Sequence, residues 1–309
     1  MKTFQSIYDF HPKNKSVLTL GTFDGVHFGH KKIIEKLIQN SSLCACESLV
    51  LTFFPHPRMV LQDSNEIKLL NTIEERTALL RMSGLNNLII HPFDQTFSRL
   101  TAEEFVSNIL VNQFNIKKII IGYDHRFGRN RTADINDLIE FGEKYDFEVE
   151  QISAQEIDEV SVSSTKIRNA LTEGHIKLAN AYLGYPYLLT GIIIKGKGLG
   201  RTLGFPTANL QIQESYKLIP KNGVYIIQSL IENKMVFGMM NIGFNPTVSG
   251  ESKSIEIHFF DFKSDLYSKK VQVQLLERIR DEVKFESLDK LKEQLLKDKF
   301  FALDYINSL

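Results

Sequence analysis

The hydrophobic pattern of the first 183 residues alternates between two kinds of segment. Short apolar runs of strand length occur at 17–20, 49–54, 87–90, 118–121 and 147–152. Segments with apolar residues at helical spacing lie between them, at 30–39, 73–83, 101–113 and 134–145. Unbroken apolar runs are typical of strands buried on both faces. The pattern therefore predicts an α/β fold with a parallel, doubly wound sheet.

The pattern changes after Leu183. Strand-like runs then follow one another at 187–194, 223–231, 235–242, 254–262 and 270–276. Closely spaced strands without intervening helices predict a small antiparallel β-barrel. Helical spacing returns from about 288 to 297, and a last helix is expected to end near Asn307. We place a domain boundary between Leu183 and Gly184, which gives domains 1–183 and 184–309.

Length and composition are consistent with a protein of two globular domains. The chain has 309 residues, of which 43% are hydrophobic. Lys+Arg and Asp+Glu balance at 37 each, so no charge excess supports a general nucleic-acid or membrane-surface role. No apolar run has signal-peptide character or approaches the roughly 20 residues of a membrane span. A cytoplasmic protein that binds small molecules is expected.

Two cysteines, Cys44 and Cys46, are present in a single C-x-C pair. Without a second pair, this spacing indicates neither a disulfide framework nor a zinc site. We interpret both as ordinary small residues.

The motif GTFDGVHFGH at 21–30 joins the first predicted strand to the first predicted helix. Gly21, Gly25 and Gly29 allow the backbone to turn sharply and to approach a ligand closely, and the helix aims free amide groups at an anion. His27 and His30 are three residues apart, so both can lie on one side of the first helical turn and donate to phosphate oxygens. The motif predicts a site for phosphoryl or nucleotidyl transfer.

Further polar segments follow the predicted strands, where open parallel sheets bind ligands. They are FPHPR at 54–58 and GYDHRFG at 122–128. A third segment, VSSTKIR at 162–168, brings Lys166 and Arg168 to a helix N-terminus, where the helix dipole favours negative charge. An anion bound there would explain the two cations, and a plain capped helix is the alternative.

The second half carries its own candidate chemistry. The loop at 196–201 is glycine-rich but lacks the GK[ST] ending of a P-loop. Thr207 and Asn209 share a face of an extended segment, and their oxygens suit Mg²⁺ that carries ATP. Alternation in SIEIHFF places Glu256 and His258 on one face. A carboxylate there could act as general base toward a substrate hydroxyl.

Three of these segments resemble signatures of one family. GTFDGVHFGH is similar to the HxGH signature of nucleotidyltransferases, in the form found in bacterial bifunctional riboflavin kinase/FAD synthetases. SSTKIR is similar to the second signature of these synthetases, and GKGLGRTLGFPTAN closely resembles the riboflavin kinase signature. The resemblance implies a Rossmann-like adenylyltransferase domain followed by a riboflavin kinase barrel. It implies that riboflavin is phosphorylated to FMN and FMN adenylylated to FAD, with ATP as substrate of both steps and Mg²⁺ as cofactor.

The resemblance also implies residue roles. Glu256 would be the general base of the kinase, and Thr207 and Asn209 would hold the metal. His27, His30 and Arg168 would stabilise the charge that develops during adenylyl transfer. The positions that match flavin- or nucleotide-binding elements of the family are Gly21, Phe23, Asp24, Gly25, Gly29, Asp124, Arg126, Ser164, Thr165, Gly198, Gly200, Arg201, Gly204, Pro206, Asn245, Thr247, Arg280, Glu282 and Phe285.

Three positions depart from the family pattern, and all lie in the first half. Phe54 stands where an acidic residue is common, His125 replaces an aromatic residue, and Ala133 replaces a glycine. One alternative is therefore a riboflavin kinase with a weak or altered adenylyltransferase domain. A second is an HxGH enzyme that acts on another phosphorylated substrate, which would not call for the complete kinase signature. A third, from another class, is a regulatory protein that binds flavin or nucleotide without turnover.

Overall fold

The computed structural model divides the chain into two compact units, residues 1–164 and residues 165–309. The structure describes residues 1–61, 67–122, 126–153, 162–196, 199–247 and 250–309. The boundary that we expect between Leu183 and Gly184 falls inside the second unit and stays a prediction.

A parallel sheet of six strands forms the centre of the first unit. The strands are β1 Lys2–Phe4, β2 Ser16–Leu20, β3 Glu47–Phe53, β4 Asn87–His91, β5 Ile116–Gly122 and β6 Glu148–Ile152. Their order in the sheet is β1-β4-β3-β2-β5-β6. Because β2 pairs with β3 on one side and with β5 on the other, the strand order reverses beside β2. Open parallel sheets bind ligands at such a point, beyond the carboxyl ends of the strands.

Helices cover both faces of this sheet. They are α1 Phe28–Leu43, α2 Pro57–Leu61, α3 Ile73–Arg81, α4 Gln95–Ser98, α5 Ala102–Glu104 and α6 Ile135–Tyr145. A π-helix, Phe105–Gln113, continues α5. Neighbouring residues of β2 contribute to two separate cores, Leu18 to one and Val17 to the other. The predicted doubly wound sheet is confirmed, and burial on both faces explains why its strands read as unbroken apolar runs.

The second unit contains a closed six-stranded barrel. Its helices are α7 Ser164–Glu173, whose first residue belongs to the first unit, α8 Ile176–Leu183, α9 Leu199–Thr202 and α10 Leu288–Asn307. The strands are β7 Tyr187–Ile194, β8 Ala208–Gln211, β9 Gly223–Ile231, β10 Lys234–Thr247, β11 Gly250–Phe259 and β12 Lys270–Arg280. They close in the order β10-β11-β8-β7-β12-β9. Every pairing is antiparallel, which confirms the predicted barrel.

Some elements differ from the sequence-based expectation. The short strands β1 and β8 were not expected, because three or four residues are too few for a clear alternation of apolar and polar positions. The end of the chain forms one continuous helix, α10, which runs to Asn307. Its buried residues include Asp298, although the charge of an aspartate predicts a position at the surface.

The interpretation of Cys44 and Cys46 as ordinary small residues was wrong, because their sulfur atoms are bonded to each other. Helix α1 ends at Leu43, and Ala45 adopts a left-handed backbone conformation with a φ of 52°. The chain turns back at this point and leaves the two Cα atoms 5.3 Å apart, within the range that a disulfide spans. The bond closes a local turn and is not part of a disulfide framework.

Candidate active sites

The turn between β2 and α1 has an unusual backbone. Phe23, Gly25 and Val26 all have positive φ values, of 47°, 89° and 37°. Glycine adopts such angles freely, whereas for Phe23 and Val26 they cost free energy that surrounding contacts must offset. Both side chains are 2% exposed and belong to the apolar core. Packing therefore fixes the shape of this turn.

The two histidines of the motif lie together at the start of α1. His27 caps the helix, and its Nδ1 accepts a hydrogen bond of 3.4 Å from the backbone N–H of His30. The rings are stacked, with centroids 3.6 Å apart and an angle of 17° between their planes. The side-by-side arrangement is the one that the three-residue spacing predicts. Because Nδ1 of His27 is an acceptor, its Nε2 carries the proton of the neutral ring.

His30 has a buried nitrogen without a hydrogen-bond partner in the part of the chain that the structure describes. Its Nδ1 has no hydrogen-bond partner among the described residues. Burial lowers the pKa of His30 well below its usual value, and the nearby His27 and Arg76 lower it further. The ring is therefore neutral at neutral pH. A buried polar atom without a partner costs about 1–3 kcal/mol, which a phosphate oxygen that accepts from this nitrogen would relieve.

Asp24 anchors the turn from within. Its carboxylate accepts hydrogen bonds from the backbone N–H groups of Leu70, at 3.0 Å, and Asn71, at 3.3 Å. A guanidinium nitrogen of Arg76, on α3, lies 3.7 Å from the same carboxylate. Asp24 and Arg76 are each 1% exposed. Asp24, which sequence reasoning assigns to ligand binding, uses its carboxylate inside the protein.

Ser164 connects the second motif to the first. Its Oγ donates a hydrogen bond of 2.9 Å to the backbone carbonyl of Asp24. Thr165 is exposed and Arg168 half-buried in the first turns of α7, within the second unit. Arg126 is exposed, and Asp124 lies outside the described residues.

Two of the three departures from the family pattern fit their surroundings. Ala133 is buried and exchanges two backbone hydrogen bonds with Phe127, of 3.1 and 3.2 Å. It is absent from the residues with positive φ, so this position does not require glycine. Phe54 packs against an apolar core of the first unit. His125 lies outside the described residues.

The barrel brings together the residues expected to carry the second chemistry. The Oγ1 of Thr207 lies 3.4 Å from Oε2 of Glu256. Asn209 on β8 is paired with Glu256 on β11 in the strand register. Ile255 and Ile257 are buried while Glu256 and His258 are half-buried, so the predicted alternation is confirmed. The unexpected strand β8 is what places Asn209 beside the glutamate.

His258 holds the segment before β8 in place. Its Nδ1 lies 2.9 Å from the backbone carbonyl of Pro206, the residue before Thr207. The ring also contacts Phe205 and Phe260, at 5.2 and 5.7 Å between centroids. Burial lowers the pKa of His258, against the opposing effect of the hydrogen bond to Pro206. A neutral imidazole that donates from Nδ1 is consistent with both observations.

The loop between β7 and β8 needs glycine at two positions. The carbonyl of Gly200 accepts a hydrogen bond of 2.8 Å from the N–H of Phe205, and a Cβ at Gly200 would overlap the carbonyl oxygen of Phe205. Gly204 has a φ of 85°, which side chains rarely tolerate. Arg201 is exposed on the same loop, and Gly198 lies outside the described residues.

Comparisons with known proteins agree over almost the whole chain. Family models described as FAD synthetase and as riboflavin kinase match residues 9–166 and 183–306. A bifunctional riboflavin kinase/FMN adenylyltransferase from Buchnera aphidicola subsp. Schizaphis graminum is 37% identical and covers 99% of each chain. The Escherichia coli K12 protein of the same name is 34% identical, over 99% of this chain and 98% of its own. This chain belongs to the bifunctional riboflavin kinase/FMN adenylyltransferase family.

A solved structure supports the same fold. A crystal structure from Streptococcus pneumoniae, described as a macrolide-efflux protein, matches with a TM-score of 0.89 and 32% identity. The match covers 97% of this chain and 98% of that one. Within the described part of this family member, no helix has the length and apolar character needed to cross a membrane.

The remaining residues expected of a family member lie at the ends of β10 and β12 and just after β12. Arg280 forms a bidentate pair with the buried carboxylate of Asp298 on α10, with nitrogen–oxygen distances of 2.9 and 2.7 Å. Its guanidinium lies 5.7 Å from the ring centre of Phe285. Glu282 lies so close to Gly243 that a Cβ there would overlap its carboxylate. The side chains of Asn245 and Thr247 lie outside the described part.

Sequence reasoning missed Arg76, which is among the largest fully buried side chains of the described residues. The helical segment at 73–83 was predicted without any role for this residue. Its position four residues before the buried Leu80 was the available signal, since residues i and i+4 share a helix face.

Proposed function

We propose that this chain converts riboflavin to FMN in the barrel and FMN to FAD in the N-terminal α/β unit, with ATP as substrate of both steps. The observation that carries the proposal is the contact of 3.4 Å between Thr207 and Glu256, which builds a kinase-like site from segments far apart in sequence. The family membership and the stacked histidines at the start of α1 support the second activity.

In the kinase step, Glu256 accepts the proton of the ribityl 5′-hydroxyl of riboflavin. The hydroxyl oxygen then forms a bond to the γ-phosphorus of ATP, and the bond to the ADP oxygen breaks. A positioned carboxylate contributes about 10²–10⁴-fold to such a step. His258 keeps the backbone of Pro206, and with it Thr207, next to the glutamate.

The donor atoms near Glu256 fit a magnesium ion that accompanies ATP. Hydroxyl, amide and carboxylate oxygens are hard ligands of the kind that Mg²⁺ prefers, and it usually keeps part of its water shell beside substrate phosphates. Thr207 and Asn209 would hold it. Among the described residues, no group of three or more His, Cys, Asp or Glu side chains is placed to hold a metal ion. When bound, Mg²⁺ neutralises phosphate charge.

In the adenylyl transfer step, a phosphate oxygen of FMN attacks the α-phosphorus of ATP and pyrophosphate leaves, so the protein need supply no nucleophile. The Nε2–H of His27 donates to an oxygen of the reacting phosphate. His30 donates to the same phosphate from Nδ1, in the neutral tautomer that carries its proton on that nitrogen. Ser164 keeps its place through the carbonyl of Asp24. Thr165 and Arg168 are proposed to bind the phosphates of ATP.

The test is a separation of flavins after incubation of the purified protein with ATP, Mg²⁺ and either riboflavin or FMN. Wild-type protein should form FMN and then FAD from riboflavin, and FAD from FMN. Glu256→Gln should abolish phosphorylation of riboflavin and leave FAD formation from FMN intact. His27→Asn should do the reverse, with a loss of about 10²–10³-fold in adenylyl transfer.

Each variant is the control for the other, because the activity that survives shows that the unit which carries it is folded. Accumulation of FMN without FAD from wild-type protein, under oxidising and reducing conditions, would contradict the adenylyltransferase assignment. Tight flavin binding with no consumption of ATP would contradict both activities and favour a regulatory protein.

A further inference from the structure

Arg76 is a charged side chain that the core of the first unit encloses. It is 1% exposed, and its guanidinium lies 3.7 Å from the equally buried carboxylate of Asp24. Removing two charges from water is expensive, and apolar residues often replace a buried ion pair without loss of stability. Stability alone therefore does not account for this arginine.

The guanidinium is connected to the turn of the HxGH motif through two side chains. The first is the carboxylate of Asp24. The second is Thr52 on β3, whose Oγ1 lies 3.5 Å from Nη1 of Arg76 and donates a hydrogen bond of 3.2 Å to the carbonyl of Thr22. Thr22 and Asp24 flank Phe23, so the arginine braces both sides of a residue held at a φ of 47°.

The braced turn leads directly to the two histidines. His27 lies three residues after Asp24, and its ring stacks on that of His30. The charge of Arg76 is close enough to lower the pKa of His30, and charges in a buried setting act over several ångströms with little screening by salt. The arginine therefore acts on the shape of the turn and on the electrostatic potential behind the imidazoles.

We propose that Arg76 is a positioning residue for adenylyl transfer: it fixes the turn that presents His27 and His30, and it places a permanent positive charge behind them. The phosphates gathered at this site during the reaction are negatively charged, so that charge favours their binding and the transition state without direct contact. This proposal rests on the proposed activity of the N-terminal unit.

The experiment compares Arg76→Met, Arg76→Lys and wild-type protein, with Arg81→Met as matched control. Arg81 is an exposed arginine on the same helix. We expect Arg76→Met to lower kcat for FAD formation from FMN by about 100-fold, the loss typical of a small misplacement of catalytic groups. Arg76→Lys should recover part of this loss because it keeps the charge. Arg81→Met should behave as wild type.

Urea unfolding should show that the first unit of Arg76→Met is folded under the assay conditions, and two further measurements are then made on the folded variant. The riboflavin kinase activity of Arg76→Met should stay within about twofold of wild type, since it resides in the other unit. Titration of the imidazoles by NMR should show a higher pKa for His30 in Arg76→Met, because a neighbouring positive charge is lost. Should Arg76→Met fail to fold, Arg76→Lys is measured in the same assays.

The outcomes are distinct. Unchanged kcat in Arg76→Met, with normal kinase activity, would overturn the proposal, as would unchanged kcat in Arg76→Lys if Arg76→Met fails to fold. A fall in both activities together in every Arg76 variant would also overturn it, because it would show a purely structural role. Absence of FAD formation by wild-type protein would instead count against the proposed function itself.

Discussion

At the scale of single residues, the N-terminal site depends on polar groups that the fold buries. Nδ1 of His30 has no hydrogen-bond partner among the described residues, and Asp24 and Arg76 face each other with almost no exposure. Buried polar groups are normally satisfied within the protein, and exceptions concentrate at functional sites. The energetic cost of these buried groups falls at the proposed phosphate site. Arg280 and Asp298 form a comparable pair in the second unit, where the pair attaches α10 to the barrel.

The lowered pKa of His30 makes stability depend on pH in one direction. The unfolded chain binds a proton at this residue near its usual pKa of about 6.5, whereas burial makes the folded protein bind it only at lower pH. The free energy of unfolding should therefore fall as the pH drops below about 6.5. Urea unfolding at several pH values should show a steeper decline for wild-type protein than for His30→Asn.

The comparison with His30→Asn is required because burial also lowers the pKa of His91 and of His258. Those residues contribute the same decline to both proteins, so only the difference between the two curves reports on His30. Parallel curves would contradict the prediction.

At the scale of elements, both sites form where neighbouring segments meet. In the first unit, β3, β2 and β5 are adjacent, so the loops that follow them emerge at one edge of the sheet. In the second unit, the four residues of β8 link β7 to β11 and close the barrel wall beside Glu256. The close approach of β7 and β8 depends on Gly191, where a Cβ would overlap the backbone carbonyl of Gln211.

Gly191→Ala should therefore loosen the barrel and impair the kinase. Overpacking of this kind typically costs about 1–3 kcal/mol, and backbone atoms cannot move aside as a flexible side chain can. We expect a lower urea midpoint for the second unit and reduced phosphorylation of riboflavin, while FAD formation from FMN is maintained. A variant with wild-type kinase activity and midpoint would show that β8 shifts freely and would contradict this reading of the barrel.

At the scale of the whole molecule, each of the two units has a core of its own, and each proposed activity resides in a different unit. The product of the first reaction is the substrate of the second. An equal mixture of the Glu256→Gln and His27→Asn proteins should therefore form FAD from riboflavin, because FMN released by one protein is adenylylated by the other. Glu256→Gln alone should form none, and His27→Asn alone should form FAD about 10²–10³-fold more slowly than wild type. Chromatography of the flavins over time measures this, and a mixture that stops at FMN would show that FMN passes only within one chain.

The two halves, the class of each fold and the segments that carry the candidate chemistry all follow from the amino-acid sequence alone. These are local properties: apolar periodicity distinguishes strands from helices, and glycines, histidines and the PTAN and EIH segments lie within short stretches of chain. The side-by-side histidines followed from helical spacing alone, and the shared face of Glu256 and His258 followed from the alternation of a strand.

Features that depend on contacts between distant segments became visible only in the folded protein. The burial of Arg76 against Asp24, the inward role of the Asp24 carboxylate and the approach of Thr207 to Glu256 join residues separated by dozens of positions. The pairing of β8 also joins distant segments, and its four residues are too few to show an alternation that predicts a strand. A sequence pattern assigns a charged residue to the surface, because its buried partner is recognised only in the folded structure. Packing alone determines which charges become buried.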